Sequence, residues 1–359
     1  MKLIRLTILL LIALSLASAQ DWVKTGTGLG VERVRIAVAD FKDAGQASAY
    51  KQTFDETLFN DLNNAGIFDV VSKSFNPTAQ PGSPSDVQLA AWSNAPVNAA
   101  MLAFGNMGVQ GDQLNVQGYL FDTHNAQNPQ VLGKQYRESA TQDNARLIAH
   151  KFADEIVFRL GGGIPGIFES KIAFISARTG NKEVWIMDYD GSNQRQLTHL
   201  GSIALSPRIS PDGTKIAFTH LGNNGAEIAV YSLDLHRLLT MPRFAGTNSS
   251  PAWSPDGTQI AFSSSMRGDP EIFIMSSTGF NPKRLTAFKG PDVSPTFNPK
   301  TSSQIAWVSG RSGLPQIYIM DSDGTNPHQV SEGGYAVSPS WSPNGQFLAY
   351  SWIRNYGPG

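Results

Sequence analysis

The stretch Ser250-Pro251-Ala252-Trp253-Ser254-Pro255-Asp256-Gly257-Thr258-Gln259-Ile260-Ala261-Phe262 decides the fold, because the chain repeats its pattern. Ser-Pro recurs at Ser206-Pro207, Ser250-Pro251, Ser294-Pro295 and Ser338-Pro339, each 44 residues after the last. A turn follows: Ser210-Pro211-Asp212-Gly213, Ser254-Pro255-Asp256-Gly257 and Ser342-Pro343-Asn344-Gly345. Pro pre-sets φ, and the Asp-Gly or Asn-Gly pair supplies the positive φ of a tight hairpin. The third copy reads Asn298-Pro299-Lys300-Thr301-Ser302-Ser303, a longer turn without Gly. Next come apolar strands such as Ile216-Ala217-Phe218, Ile260-Ala261-Phe262 and Ile305-Ala306-Trp307. Second strands follow, such as Val184-Trp185-Ile186-Met187 and Ile272-Phe273-Ile274-Met275. A short outer strand such as Arg284-Leu285-Thr286 closes the unit.

Four short strands per unit of about 40–50 residues is the signature of a propeller blade, whose faces are buried by its neighbours. The expectation is an all-β propeller over residues 167–359, with the Ser-Pro strand innermost. Four complete or nearly complete units are counted, and a fifth stops after its second strand. An unclosed ring would leave bare strand edges, so the sequence is expected to be a fragment.

Residues 33–160 read as a small α/β domain. Val34, Ile36 and Val38 alternate as in a half-buried strand. Tyr50, Phe54, Leu58 and Leu62 mark one face of a helix ending near Gly66. Strands are expected at 67–71, 99–104, 114–121 and 132–136, a loop at 76–85 and a short helix at 87–92. Ile148, Phe152, Ile156 and Leu160 mark a closing helix, and 161–166 is the expected linker.

Lys2 and Arg5, the apolar run 6–16 and Ala17-Ser18-Ala19 form a secretory signal expected to be cut before Gln20. The run is shorter than the roughly 20 residues that span a bilayer, and no later stretch spans one. The mature chain is therefore expected to be exported and not membrane-spanning. With no Cys among 359 residues, each folded part must rely on its own core. A net charge of -1 without a Lys/Arg block argues against nucleic acid as partner.

Catalytic and metal motifs are weak. Gly26-Thr27-Gly28-Leu29-Gly30 precedes a strand, whereas a phosphate loop follows one and opens a helix. Asp188-Tyr189-Asp190-Gly191 and Asp321-Ser322-Asp323-Gly324 lack the spacing and closing Glu of a calcium loop. The histidines His124, His150, His199, His220, His236 and His328 form no metal-spaced pair. No Gly-x-Ser-x-Gly elbow seats a nucleophile. The expectation is a binding protein with no catalytic residues, no metal and no cofactor. A propeller that takes a small peptide or sugar is the alternative.

The order of signal, small α/β domain and Ser-Pro-x-x-Ser-Pro-Asp-Gly propeller resembles the TolB family of the Tol-Pal system. Gln88-Leu89-Ala90-Ala91-Trp92, ahead of a central strand, sharpens the likeness. The resemblance implies six blades, of which this chain lacks roughly 70 residues if blades run near their usual length. It implies a periplasmic adaptor that binds the lipoprotein Pal, and binds TolA through the mature N-terminal segment 20–32. Its implied role is outer-membrane integrity and constriction during cell division. The likeness places the Pal contact at Thr247-Asn248-Ser249, with Val293 equivalent one blade later and Asp292 beside it. With the Ser-Pro strand innermost, the loops bearing Gly201, Gly246, Gly290 and Gly334 share one mouth with Arg178, Arg267 and Arg311. Those arginines are candidates to engage partner carboxylates.

Overall fold

The computed structural model describes residues 33–354, so the expected signal, the segment 20–32 and the 26–30 glycine run lie outside the described residues. The chain splits into two compact units on either side of Ser170 and Lys171.

The first unit is a six-stranded mixed sheet with helices. Its elements are β1 (Val34–Val38), β2 (Lys42–Gly45), α1 (Ser48–Asn64), β3 (Phe68–Val70), α2 (Leu89–Ser93), β4 (Met101–Gln110), β5 (Gln113–Asp122), β6 (Gln130–Ser139) and α3 (Gln142–Leu160). The order is β3-β1-β4-β5-β6, with β2 also on β4. β1 runs parallel to β3 and β4, and β4-β5-β6 form an antiparallel meander.

Two glycines let a helix approach the sheet. Gly105 and Gly118 face each other across β4 and β5, and a Cβ on Gly118 would sit 2.8 Å from the Phe152 ring of α3. Phe152 thereby reaches Phe41, which packs on Phe54 of α1 at 4.6 Å between ring centroids. A second core, with Leu102, Phe104 and Phe121, is closed by Trp92 of α2. A buried His150–Asp61 hydrogen bond of 2.7 Å joins α3 to α1.

Three boundaries differ from the sequence reading. β4 begins at Met101 and runs on to Gln110, because Gly105 and Gly108 break the apolar alternation without breaking the pairing. β2 carries no apolar stripe and is wholly exposed; only its register with β4 makes it a strand. Past the expected linker 161–166, where the propeller was expected from 167, the first unit runs on to Ser170: Phe168 is buried, and Asp154 of α3 accepts from the Phe168 and Glu169 amides.

The second unit is a series of β-sheets. A three-stranded sheet holds β7 (Lys171–Ser176), β8 (Glu183–Asp188) and β9 (Arg195–Gln196). Three four-stranded sheets follow. The first is β10 (Ile203–Ile209), β11 (Lys215–Gly222), β12 (Gly225–Ser232) and β13 (Arg237–Leu239). The second is β14 (Asn248–Trp253), β15 (Gln259–Ser264), β16 (Glu271–Ser276) and β17 (Lys283–Arg284). The third is β18 (Asp292–Phe297), β19 (Gln304–Ser309), β20 (Gln316–Asp321) and β21 (His328–Gln329). Last come β22 (Tyr335–Trp341) and β23 (Leu348–Ile353). The Ser-Pro strands β10, β14, β18 and β22 lie against one another in succession, which makes them innermost. Among the described residues the units are three full sheets, one of three strands and one of two.

The Ser-Pro dipeptide has a conformational purpose. Ser206, Ser250, Ser294 and Ser338 all take φ between 51° and 57°, and each marks a register shift against the next strand. A non-glycine residue in this region is uncommon, and here it forms a bulge that kinks every inner strand. Two of the displaced amides reach across to the preceding sheet: Ser250 donates to Thr219 Oγ1 at 2.9 Å, and Ser294 to Ser263 Oγ at 3.1 Å. Sheets also join through Trp253 Nε1, which donates to the Arg208 carbonyl at 2.9 Å, and Trp341 Nε1, which donates to that of Thr296. Apolar clusters between sheets, such as Ala217, Ile228 and Val230 of one sheet with Trp253, Phe262 and Phe273 of the next, complete the packing.

Two of the inner turns are closed by a Ser–Asp exchange, and a third by the matching pair Ser342 and Asn344. Ser210 Oγ donates to Asp212, Asp212 accepts the Thr214 amide, and Ser210 Oγ accepts the Lys215 amide; Ser254 and Asp256 repeat this. In the turn without Gly, Asn298 stands where the serine does, its Oδ1 accepts the Lys300 amide, and Ser302 adopts φ 54°. Hydrogen bonds from serine hydroxyls hold the Asp212 and Asp256 carboxyls below their ordinary value of 3.8; a threonine does the same for Asp323. A depressed carboxylate contributes stability that is complete above 3.8 and is lost as the pH falls toward the folded-state values. Acidification below 3.8 is therefore expected to lower the urea midpoint of the wild-type propeller. The Asp212→Asn, Asp256→Asn double variant should show a flatter dependence; an identical pH profile would refute the assignment. Asp55 in the first unit works the other way, since burial raises its carboxyl.

Candidate functional site

Because strands alternate in direction, the loops entering each inner strand and the loops joining second to third strands emerge at one end of the propeller. Hydrogen bonds tie them together. Thr247 N donates to Ser265 Oγ at 2.8 Å, Gly310 N to the Pro291 carbonyl at 2.9 Å and Asp292 N to the Pro270 carbonyl at 2.8 Å. This end carries all eight residues singled out from the sequence.

The structure separates those residues by exposure. Thr247 is exposed, and Ser249 and Val293 are half-buried. Asn248 is buried: its amide donates to the carbonyls of Phe244, Ala245 and Gly246, and its oxygen accepts from Ser264 Oγ. Asp292, its equivalent one sheet on, is also buried and pairs with Arg311 at 2.9 Å. Direct contact by Asn248 or Asp292 is thus precluded in this arrangement, and both act by holding the loops that flank them.

The three arginines are not equivalent either. Arg311 donates through Nε to Ser309 Oγ at 2.7 Å and lies over Phe288 at 3.7 Å and Tyr318 at 4.7 Å. Arg178 lies over Trp185 at 4.7 Å and donates to Gln194 at 2.8 Å, but stays exposed. Arg267 is exposed and makes no ion pair among the described residues. Arg311 is therefore a loop anchor, whereas Arg267 is open to an incoming carboxylate. Phe288, half-exposed above Arg311, belongs to the same face.

A repeated polar pair supports these loops from below. Thr198 Oγ1 donates to Glu183 and accepts the Val184 amide; Thr286 with Glu271 and Ile272, and Ser331 with Gln316 and Ile317, do the same. Glu183 also accepts the Leu200 and Gly201 amides, at 2.8 and 3.1 Å. The signal in the sequence is an acid or amide followed 15 residues later by a hydroxyl.

On the same face Ser202 lies 2.8 Å from His220 Nε2, and His220 Nδ1 lies 3.1 Å from Glu227, which also pairs with Arg243. The order matches that of an activated nucleophile. The two amides preceding Ser202 are spent on Glu183, however, so they do not face a developing oxyanion. The segments 188–191 and 321–324, read from the sequence as turns rather than calcium loops, are turns in which Asp190 accepts the Ser192 amide and Asp323 the Thr325 amide. Among the described residues no group of three or more His, Asp or Glu is placed to hold a metal, and no helix is long and apolar enough to cross a membrane.

These features define a class: a β-propeller preceded by a small α/β domain, with tethered loops gathered at one mouth. Residues 158–356 match the TolB beta propeller domain and residues 27–129 the TolB amino-terminal domain. The chain belongs to the TolB family. It is 33% identical over 235 residues to the Tol-Pal system protein TolB of Actinobacillus succinogenes, covering 65% of this chain and 53% of that protein. It is 34% identical to the Tol-Pal system protein TolB of Roseobacter denitrificans over 50% of this chain and 40% of that protein. The chain thus spans about half the length of the curated relatives it matches. The crystal structure of TolB from Acinetobacter baumannii superposes with a TM-score of 0.75 at 24% identity, covering 91% of this chain and 78% of that one. That likeness is one of fold.

Proposed function

We propose that this protein is a periplasmic adaptor of the Tol-Pal system that docks the lipoprotein Pal on the loop-bearing mouth of its propeller. The observation that supports this most directly is the division of labour at that mouth. Buried Asn248 and Asp292, the latter paired with half-buried Arg311, fix the loops, while Thr247, Arg178 and Arg267 are exposed and Ser249 and Val293 partly accessible around them. Rigid loops carrying a few exposed polar and cationic groups suit protein recognition, because little ordering entropy is lost on binding. The naming of the relatives as Tol-Pal system proteins favours a partner from that system. TolA engages the mature segment 20–32 in this reading, and the joint role is outer-membrane integrity and constriction at division.

The test is calorimetric titration of the soluble domain of Pal into the Arg267→Glu, Thr247→Arg double variant. Both side chains are exposed, so the fold should be kept. Reversing a rim charge and adding bulk is expected to weaken binding at least about tenfold. Unchanged affinity in a folded variant would remove this face from consideration.

A further inference from the structure

The opposite end of the propeller holds a second candidate site. A cavity of about 300 Å³ opens there, walled by Trp253, Phe297 and the prolines Pro211, Pro255 and Pro299, with Arg208 on its lining. Arg208 occupies, just after the bulge of β10, the position held by Ala252 and Thr296 in the next two inner strands. It is the one cation in that series. It makes no ion pair among the described residues, and its guanidinium donates to the carbonyl of Pro207 at 3.0 Å. Arg208 is exposed as a whole, and partial desolvation beside the wall lowers its guanidinium from the usual arginine value.

We propose that this cavity binds the free C-terminal carboxylate of a peptide whose last side chain is apolar. An uncompensated guanidinium beside apolar walls is suited to a carboxylate, which its planar fork grips through two hydrogen bonds. Trp253 and Phe297 are largely buried and form the floor, so the apolar surface open to a side chain next to that carboxylate comes mainly from the rings of Pro211, Pro255 and Pro299. The prolines decide between a chain end and an internal segment. Pro211, Pro255 and Pro299 have no N–H, so a peptide backbone threading the cavity would find no donors along that wall. The cavity is at the small end of ligand sites, which also suits one terminal residue. The nearby Asp212 and Asp256 carboxylates are turned into their own turns. This site is distinct from the loop-bearing mouth, so it stands or falls independently of Pal docking.

The experiment is calorimetric titration of the full chain with three probes. These are acetyl-Gly-Gly-Gly-Leu as the free acid, the same peptide as the C-terminal amide, and an amidated peptide with an internal aspartate. The free acid is expected to bind saturably with one-to-one stoichiometry, and the other two at least about tenfold more weakly, as for loss of a charge-assisted bidentate contact. Arg208→Gln should abolish the preference for the acid over the amide, while Arg208→Lys, which keeps the charge but not the fork, should retain part of it. Thr296→Glu, placing a carboxylate on the cavity lining, should weaken the acid by a similar factor and serves as the second variant if Arg208→Gln disturbs the fold. Equal binding of acid and amide, equal binding of the internal aspartate peptide, or undiminished binding by both folded variants would overturn the proposal.

Discussion

Replacing Trp307 with alanine is expected to destabilise the propeller by about 3–5 kcal/mol, read as a lower urea midpoint with little change in slope. Trp307 is fully buried in a cluster that joins two successive sheets. Its neighbours there include Ala252, Ile272 and Ile274 of one sheet and Ile305 and Tyr318 of the other. Its ring lies 5.6 Å from that of Tyr318. Removing the indole therefore opens a cavity in the seam between blades rather than at a surface. Trp307→Phe should behave differently. The equivalent positions Phe174, Phe218 and Phe262 are phenylalanine, so the backbone there is suited to a smaller ring. The indole Nε1 is buried without a hydrogen-bond partner, so phenylalanine also removes an unsatisfied donor. The expected cost of Trp307→Phe is below about 1.5 kcal/mol, the range of tolerated hydrophobic swaps. Equal losses for the two variants would refute this account of the seam.

Arg311→Ala is expected to cost a comparable amount, about 3–5 kcal/mol, because it strands a buried charge. Asp292 is wholly buried, and its Oδ1 has no hydrogen-bond partner even in the intact protein. Arg311 thus supplies its compensating charge, and also stacks on Phe288 and Tyr318. Adding Asp292→Ala to Arg311→Ala removes the stranded carboxylate and should return a substantial part of the loss. A double-mutant cycle measured by urea unfolding reads this directly, and additive losses would contradict it. Because Arg311 ties the 310–315 loop to β18, the single variant should also loosen the loops beside Val293 at the proposed docking mouth.

How much of the candidate site was legible in the sequence depends on what each residue does. Thr247, Ser249, Val293 and Arg267 could be placed at one mouth from strand alternation alone, since the direction of each strand follows from its order in the repeat. Exposure could not. Asn248 and Asp292 are polar and stand between turn signals, which reads as surface, yet each is buried by partners about 16 to 19 residues away: Ser264 for Asn248, Arg311 for Asp292. Arg178 and Arg311 look alike in register, but only Arg311 has an acid to pair with and an additional ring, Phe288, above it. The bulge at Ser-Pro was visible as a repeated dipeptide. Its positive φ was not, because serine has no conformational signature of the kind glycine carries.

By itself the sequence determined the class of the fold. A 44-residue period with paired turn signals leaves each unit with two apolar faces, and only stacking neighbours can bury both. It likewise determined the α/β character of the first unit, through the period of its apolar residues. The tertiary structure alone decided β2, which is a strand only because β4 pairs with it, and the length of β4, which glycines conceal. It alone decided which polar residues at the mouth are scaffold and which are open, and it alone showed Arg208 without an acid partner beside Trp253 and Phe297. The reason is common to all of these. Burial and pairing are properties of contacts between segments distant in sequence, whereas periodicity and turn chemistry are local.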